Sequence, residues 1–167
     1  HSENVMNIAE ALAYMMNVDE SLINIIRDAG LLHDIGKIGI PGFILNKPGP
    51  LTPEEYNGIM KTHSTLGANI IRDVPFLKDL YNPILHHHEN YDGSGYPDGK
   101  KGDTIPLTAR IIHVADAFEA MTSNRPYRKS LGEIEALKRL EEQRGKQFDP
   151  GVVDAFITLA HSKGWTK

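Results

Sequence analysis

Apolar residues recur along this chain at intervals of three and four, the spacing that brings side chains onto one face of an α-helix. Val5, Ile8, Ala9, Leu12 and Met16 predict a first amphipathic helix over residues 1–17. Leu22, Ile25, Ile26, Ala29 and Leu32 predict a second, capped by Asp19 or Ser21, whose buried stripe runs out at His33-Asp34. Gly36, Gly39, Pro41 and Gly42 then break the helix and leave Lys37 on a turn beside the doublet. Ile38, Ile40, Phe43, Ile44 and Leu45 are expected to tack this loop onto the core. Thr52-Pro53-Glu54-Glu55 reads as a helix start, with Thr52 at the N-cap, Pro53 at N1, Glu55 closing a capping box and Leu51 stapled to Tyr56. The helix it opens should run to about Asp73 and turn His63 inward with Ile59, Met60 and Ile70.

After Val74-Pro75, Leu77, Leu80, Ile84 and Leu85 carry a further helix into the run His86-His87-His88. Residues 90–106 have little periodicity and are rich in glycine and proline from Gly93 to Gly99; so long a loop in a compact domain is more often functional than idle. Thr108 is the expected cap of the next helix, where Ile111, Ile112, Ala115, Phe118 and Met121 pack and Asp116 lies among apolar neighbours. A lone carboxylate in such surroundings needs a partner. Asn124 to Arg128 ends that helix with two guanidinium groups, Ser130-Leu131-Gly132-Glu133 reads as a second capping box for a helix ending at Arg144, and Phe148-Asp149-Pro150 starts the last helix, residues 151–161. No segment shows the two-residue alternation of a half-buried strand, so the fold class is all-α, a helical bundle with long functional loops.

Composition narrows the chemistry. With 167 residues, 40% of them hydrophobic and 24% charged, the chain is expected to be one globular domain over residues 1–167. A net charge of −4 gives no general reason to bind DNA or a membrane surface, and no apolar run approaches the length needed to span a bilayer. Cysteine is absent, which excludes disulfides and thiolate metal sites and is compatible with a cytoplasmic location. The start at His1, without an initiator methionine, leads us to expect a fragment of a longer protein.

The histidines supply the candidate chemistry. Successive side chains on a helix diverge by about 100°, so His87 and His88 suit two neighbouring metal ions better than one tetrahedral site. His1, His33, Asp34, His63, His87, His88 and Asp116 each sit at a helix end or on an otherwise apolar face, giving five imidazoles and two carboxylates. One metal takes about three or four protein ligands, so this set suits two, with Asp34 as the natural bridge and a hydroxide between the ions as nucleophile for phosphoryl transfer. Taken singly each signal is weak: an inward His63 is more often a hydrogen-bonded core residue, and a triple histidine run occurs on surfaces. Their joint occurrence shifts the balance.

That joint pattern resembles the HD-GYP family, a branch of the HD-domain metal-dependent phosphohydrolases. The resemblance rests on His33-Asp34-Ile35-Gly36-Lys37, on Ile44 to Thr52, on His63 with Gly67, on His87-His88-Glu89 leading to Asp92-Gly93-Ser94-Gly95-Tyr96-Pro97, and on Ala115-Asp116 followed by Thr122 to Arg128. It implies a phosphodiesterase that hydrolyses cyclic di-GMP to pGpG, in some members on to GMP. It further implies metal ligation by His1, His33, Asp34, His63, His87, His88 and Asp116, catalytic roles for Asp34 and Lys37, and substrate contacts from Lys37, Arg125, Arg128 and Tyr96. Two or three divalent ions are expected, Fe or Mn first, with Ni, Co, Zn or Mg as alternatives. Expected partners are cyclic di-GMP, an upstream sensor or receiver domain and a second copy in a homodimer, without DNA or direct membrane insertion. The alternatives are hydrolysis of another cyclic dinucleotide or nucleotide, and a non-catalytic sensor that binds one. His86 is expected to be exposed or to support the metal ligands from behind, His113 is not assigned, and Glu119 and Asn124 stand where the family commonly has aspartate.

Overall fold

The computed structural model describes residues 1–124 and 129–166; Arg125 and Arg128 lie outside them. The first two helices, α1 (Ser2–Met15) and α2 (Glu20–Leu32), pair antiparallel and bury Val5, Ala9, Leu12, Ala13, Ile23, Ile26 and Ala29 against each other and the core. Leu22, counted in the buried stripe, is instead exposed. Asp34 leads from α2 into a 3-10 turn, Ile35–Gly39, and then α3 (Gly42–Leu45). Only Ile40 and Ile44 of the loop's five apolar residues are buried; Ile38 and Phe43 are 81% and 71% exposed.

The capping box at Thr52 forms as read, with Thr52 Oγ1 accepting from the Glu55 N–H and Glu55 accepting from the Thr52 N–H. The helix that follows is not continuous. α4 (Pro53–Glu55) passes through a π-helical turn, Tyr56–Met60, before α5 (Thr62–Arg72). The buried face of α5 carries His63, Ser64, Gly67, Ala68 and Ile71, while Ile70 points to solvent. The π turn resets the phase of the helix, which periodicity along the sequence does not reveal.

A 3-10 segment, Pro75–Leu80, feeds the short α6 (Tyr81–His86), and α7 (Leu107–Thr122) forms the centre of the bundle. Thr108 lies buried inside α7 rather than capping it, because Pro106, in an extended conformation, already turns the chain. α8 (Glu133–Glu142) begins after Gly132 at φ +77, so the second capping box does not form; Ser130 Oγ accepts from the Gly132 N–H instead. α9 (Pro150–Lys163) is capped by Asp149, which accepts from the N–H groups of Gly151 and Val152. Where α7 meets α9, Phe118 meets Phe156 edge-on and stacks on Trp165. The described residues contain no β-strand, and none of their helices is long and apolar enough to cross a membrane.

Candidate metal centre

Three helix ends and one helix face aim imidazoles at a common point. His33 follows α2, His63 lies in the first turn of α5, His87 and His88 follow α6, and His1 precedes α1. His33, His63 and His87 share one local device: Nδ1 of each lies 2.7 Å from the carbonyl oxygen three residues earlier, of Gly30, Met60 and Ile84 respectively. A carbonyl only accepts, so Nδ1 carries the proton and Nε2 presents a lone pair. All three Nε2 atoms are buried without a hydrogen-bond partner. Three such orphans on one wall would be costly in an ordinary core.

Asp34 lies between them. Its Oδ1 is 3.5 Å from His63 Nε2, and its Oδ2 is 3.5 Å from His33 Nε2 and 3.7 Å from His1 Nε2. Asp116, on α7, places Oδ1 3.4 Å from His1 Nε2 and 3.8 Å from His33 Nε2. The rings of His1, His33, His87, His63 and His88 follow one another at centroid separations between 5.0 and 5.5 Å, and His87 and His88 are 4.1 Å apart. Two potential ligand groups result, His63-His87-His88 and His1-His33-Asp34, each with its donor atoms within 4.8 Å of one another. All seven metal-ligand positions expected from the sequence are thus gathered in one place.

The electrostatics agree with a cation site. Burial alone pushes the Asp34 carboxyl up, but His1, His33 and Lys37 outweigh it and hold it well below the usual carboxylate range. The Asp34 carboxylate raises His1 to about 8 against the opposing effect of burial, with Glu119 and Asp116 adding to it. Burial lowers His63, and burial with neighbouring rings lowers His87 and His88 further, so these imidazoles stay neutral and able to ligate. Orphaned Nε2 lone pairs facing ionised carboxylates are the donor set of borderline divalent metals, and the residues present fit such ions.

Around the centre, Lys37 Nζ lies 2.5 Å from Asp34 Oδ2. Tyr96 stacks on His88 at 4.9 Å and 26°, and its peptide bond to Pro97 is cis. A cleft of about 230 Å³ opens over the cluster, lined by Lys37, Tyr56, Met60 and Tyr96 together with His1, Asp34, His63, His88 and Asp116. A second, of about 420 Å³, adjoins it at His1 and Lys37 and reaches Asn4, Glu119, Ser123 and Asn124. A larger cavity of about 820 Å³ between α7 and α8 touches none of the cluster.

Three residues of the site have no role in it assigned from the sequence. Glu119 is buried and places Oε2 2.5 Å from His1 Nδ1, with Asn4 and Ser123 on its other oxygen, so it orients His1. Its position three residues after Asp116 on one helix was the available signal. His113 is buried, its Nδ1–H donating to the Glu89 carbonyl at 3.0 Å and its Nε2 accepting from Gln147, which fixes the backbone just after His88. Tyr56 gave no sequence signal beyond its staple role.

A family model for the HD domain matches residues 1–152. This chain belongs to the HD domain family. The HD-GYP resemblance of its motifs stands with that assignment. A cyclic di-GMP phosphodiesterase of Thermotoga maritima is 45% identical to this HD domain over 161 residues, 95% of this chain and 44% of that protein. A cyclic di-GMP phosphodiesterase response regulator of Xanthomonas campestris pv. campestris is 44% identical over 157 residues, 93% of this chain and 41% of its own length. The HD domain therefore spans less than half the length of these relatives. The crystal structure of a cyclic GMP-AMP specific phosphodiesterase of V. cholerae shares the fold, with a TM-score of 0.75 at 20% identity over 99% of this chain and 44% of that one.

Proposed function

We propose that this HD domain is a metal-dependent phosphodiesterase that hydrolyses cyclic di-GMP to pGpG. The observation that carries the reading is the convergence of the unpartnered Nε2 atoms of His33 and His63 on the two oxygens of Asp34, with the unpartnered Nε2 of His87 on the ring that lies next to both. His63, His87 and His88 would hold one cation and His1, His33 and Asp116 a second, with Asp34 beside both groups. Bound there, a pair of divalent ions supplies an activated water and positive charge for the phosphodiester. Iron or manganese suits the imidazole and carboxylate donors.

The chain's own residues do the rest. Asp34, held ionised, keeps the two ligand groups in register. Lys37, on the turn beside it, neutralises charge that develops on the scissile phosphate. Tyr96 and Tyr56 form the apolar wall of the cleft, where a guanine base would lie against an aromatic face. Names of relatives at 45% and 44% identity favour cyclic di-GMP as the substrate. In the relatives' longer chains there is room for a regulatory domain, and we place this domain as the catalytic unit of such a protein.

The test is a panel of cyclic di-GMP, cyclic GMP-AMP, cyclic di-AMP and linear nucleotides, offered to protein loaded with Fe²⁺ or Mn²⁺ under argon, with products identified by mass. Production of pGpG from cyclic di-GMP, lost in Asp34→Ala with the helical circular dichroism unchanged, is the expected result. Turnover of another nucleotide without cyclic di-GMP would sink the substrate assignment, and activity surviving in Asp34→Ala would sink the mechanism.

A further inference from the structure

His86 turns away from the cluster that its two neighbours build. It is 3% exposed, at the last residue of α6, so of the two expectations for it exposure does not hold. His33, His63 and His87 each hand Nδ1 to a carbonyl of the preceding turn, whereas His86 Nδ1 is buried with no hydrogen-bond partner. It faces two carboxylates instead, Glu89 Oε1 at 3.6 Å and Asp98 Oδ2 at 3.8 Å. Both distances exceed those of a hydrogen bond.

Glu89 is itself 2% exposed. Its oxygens are fixed by backbone donors, Oε1 by the Asp98 N–H at 2.8 Å and Oε2 by the Lys100 N–H at 3.1 Å. Asp98 approaches from the loop with a half-exposed side chain. A buried imidazole nitrogen without a hydrogen-bond partner, set between two carboxylates, is a cation site in charge and in shape. Ligands about 2.1 Å from a tetrahedral Zn²⁺ lie roughly 3.4 Å from one another. The two spacings from His86 exceed that by only a few tenths of an ångström, and all three groups offer donor atoms within 4.8 Å of one another.

We propose that His86 Nδ1, Glu89 Oε1 and Asp98 Oδ2 form a further site for a first-row divalent cation, which clamps the Asn90 to Lys100 loop to the end of α6. Three protein ligands leave a fourth position for water. The amides that hold Glu89 play the orienting part that second partners play at metal sites generally. The clamped loop carries Tyr96, stacked on His88, so occupancy would stiffen one wall of the cleft.

The site can be counted directly. Metal-stripped protein, its Asp98→Ala variant and its His86→Gln variant are dialysed against the same buffered Zn²⁺, and bound zinc per chain is measured by mass spectrometry. Each variant should hold one ion fewer than the parent, and Zn²⁺ should slow proteolysis of the 92–104 loop in the parent but not in Asp98→Ala. Asp98 is exposed enough for its replacement to leave the fold intact, so that variant decides the matter if His86→Gln fails to fold. Equal zinc counts in the parent and Asp98→Ala would overturn the proposal.

Discussion

At the scale of single residues, the centre is defined as much by what holds each ligand as by the ligands themselves. His33, His63 and His87 are set in one tautomer by carbonyls of their own helices, and His1 by Glu119. Lys37 touches Asp34 but is part-exposed, so Lys37→Met should leave metal content unchanged while lowering kcat by about 10²- to 10³-fold, the usual effect of losing one group that stabilises transition-state charge. Retained kcat with altered metal content would instead assign Lys37 to the ligand network. His113 gives a pH prediction. Burial pushes it down to about 4 from an ordinary 6.5, so between those values the unfolded chain takes up a proton that the folded one refuses. Its contribution to stability is complete above pH 6.5 and falls on the order of 3 kcal/mol as pH drops to 4. Urea titrations from pH 7 to 4 should show a loss that includes this contribution, and His113→Gln should reduce it by that amount while leaving the part due to the buried His63, His87 and His88.

At the scale of elements, the ligands depend on close backbone approach. A Cβ on Gly36 would sit 1.8 Å from the His63 carbonyl oxygen and 2.4 Å from the Gly67 nitrogen, so the turn after His33-Asp34 presses on the backbone of α5. Gly36→Ala must therefore push apart the elements that carry Asp34 and His63. A loss of about 3 kcal/mol in chemical denaturation, at the upper end for overpacking, with metal affinity down at least tenfold, is the expected outcome. Gly95 has the same role at the loop, where a Cβ would meet the Asn90 nitrogen at 2.1 Å and the His88 carbonyl oxygen at 2.5 Å. The sequence marks this glycine only as part of a glycine- and proline-rich loop, whereas the structure ties it to close contact with the segment that carries His88.

For the whole molecule, the proposed ligands come from segments that only the complete bundle assembles, so metal-binding energy would also be folding energy. A cation present at about 100 times its dissociation constant stabilises the native state by roughly 2.7 kcal/mol. In a domain of this size that corresponds to about 5 to 10 °C in Tm. Adding a chelator should lower Tm by that amount and abolish turnover, and restoring Mn²⁺ should return both; a Tm indifferent to chelation would mean that the cluster is not a metal centre. Much of this architecture could be read from the chain, since helix periodicity located α1, α2, α7 and α9 and the motifs named His1, His33, Asp34, His63, His87, His88 and Asp116. The π turn at Tyr56–Met60 and the exposure of Ile38 and Phe43 could not be read there, because helix phase and burial depend on distant segments, and the box at Ser130 is unmade because Gly132 takes a positive φ.

By itself the sequence determined which residues could be ligands and which helices would carry them, because helix formation, capping and donor chemistry depend on neighbours a few positions away. Tertiary structure decided what those residues face. His1 meets Glu119 across 118 positions, and two consecutive histidines part company, His87 toward Asp34's cluster and His86 toward Glu89 and Asp98. Side-chain direction at a helix end is fixed by the cavity that the rest of the fold leaves open, and no local pattern encodes that cavity.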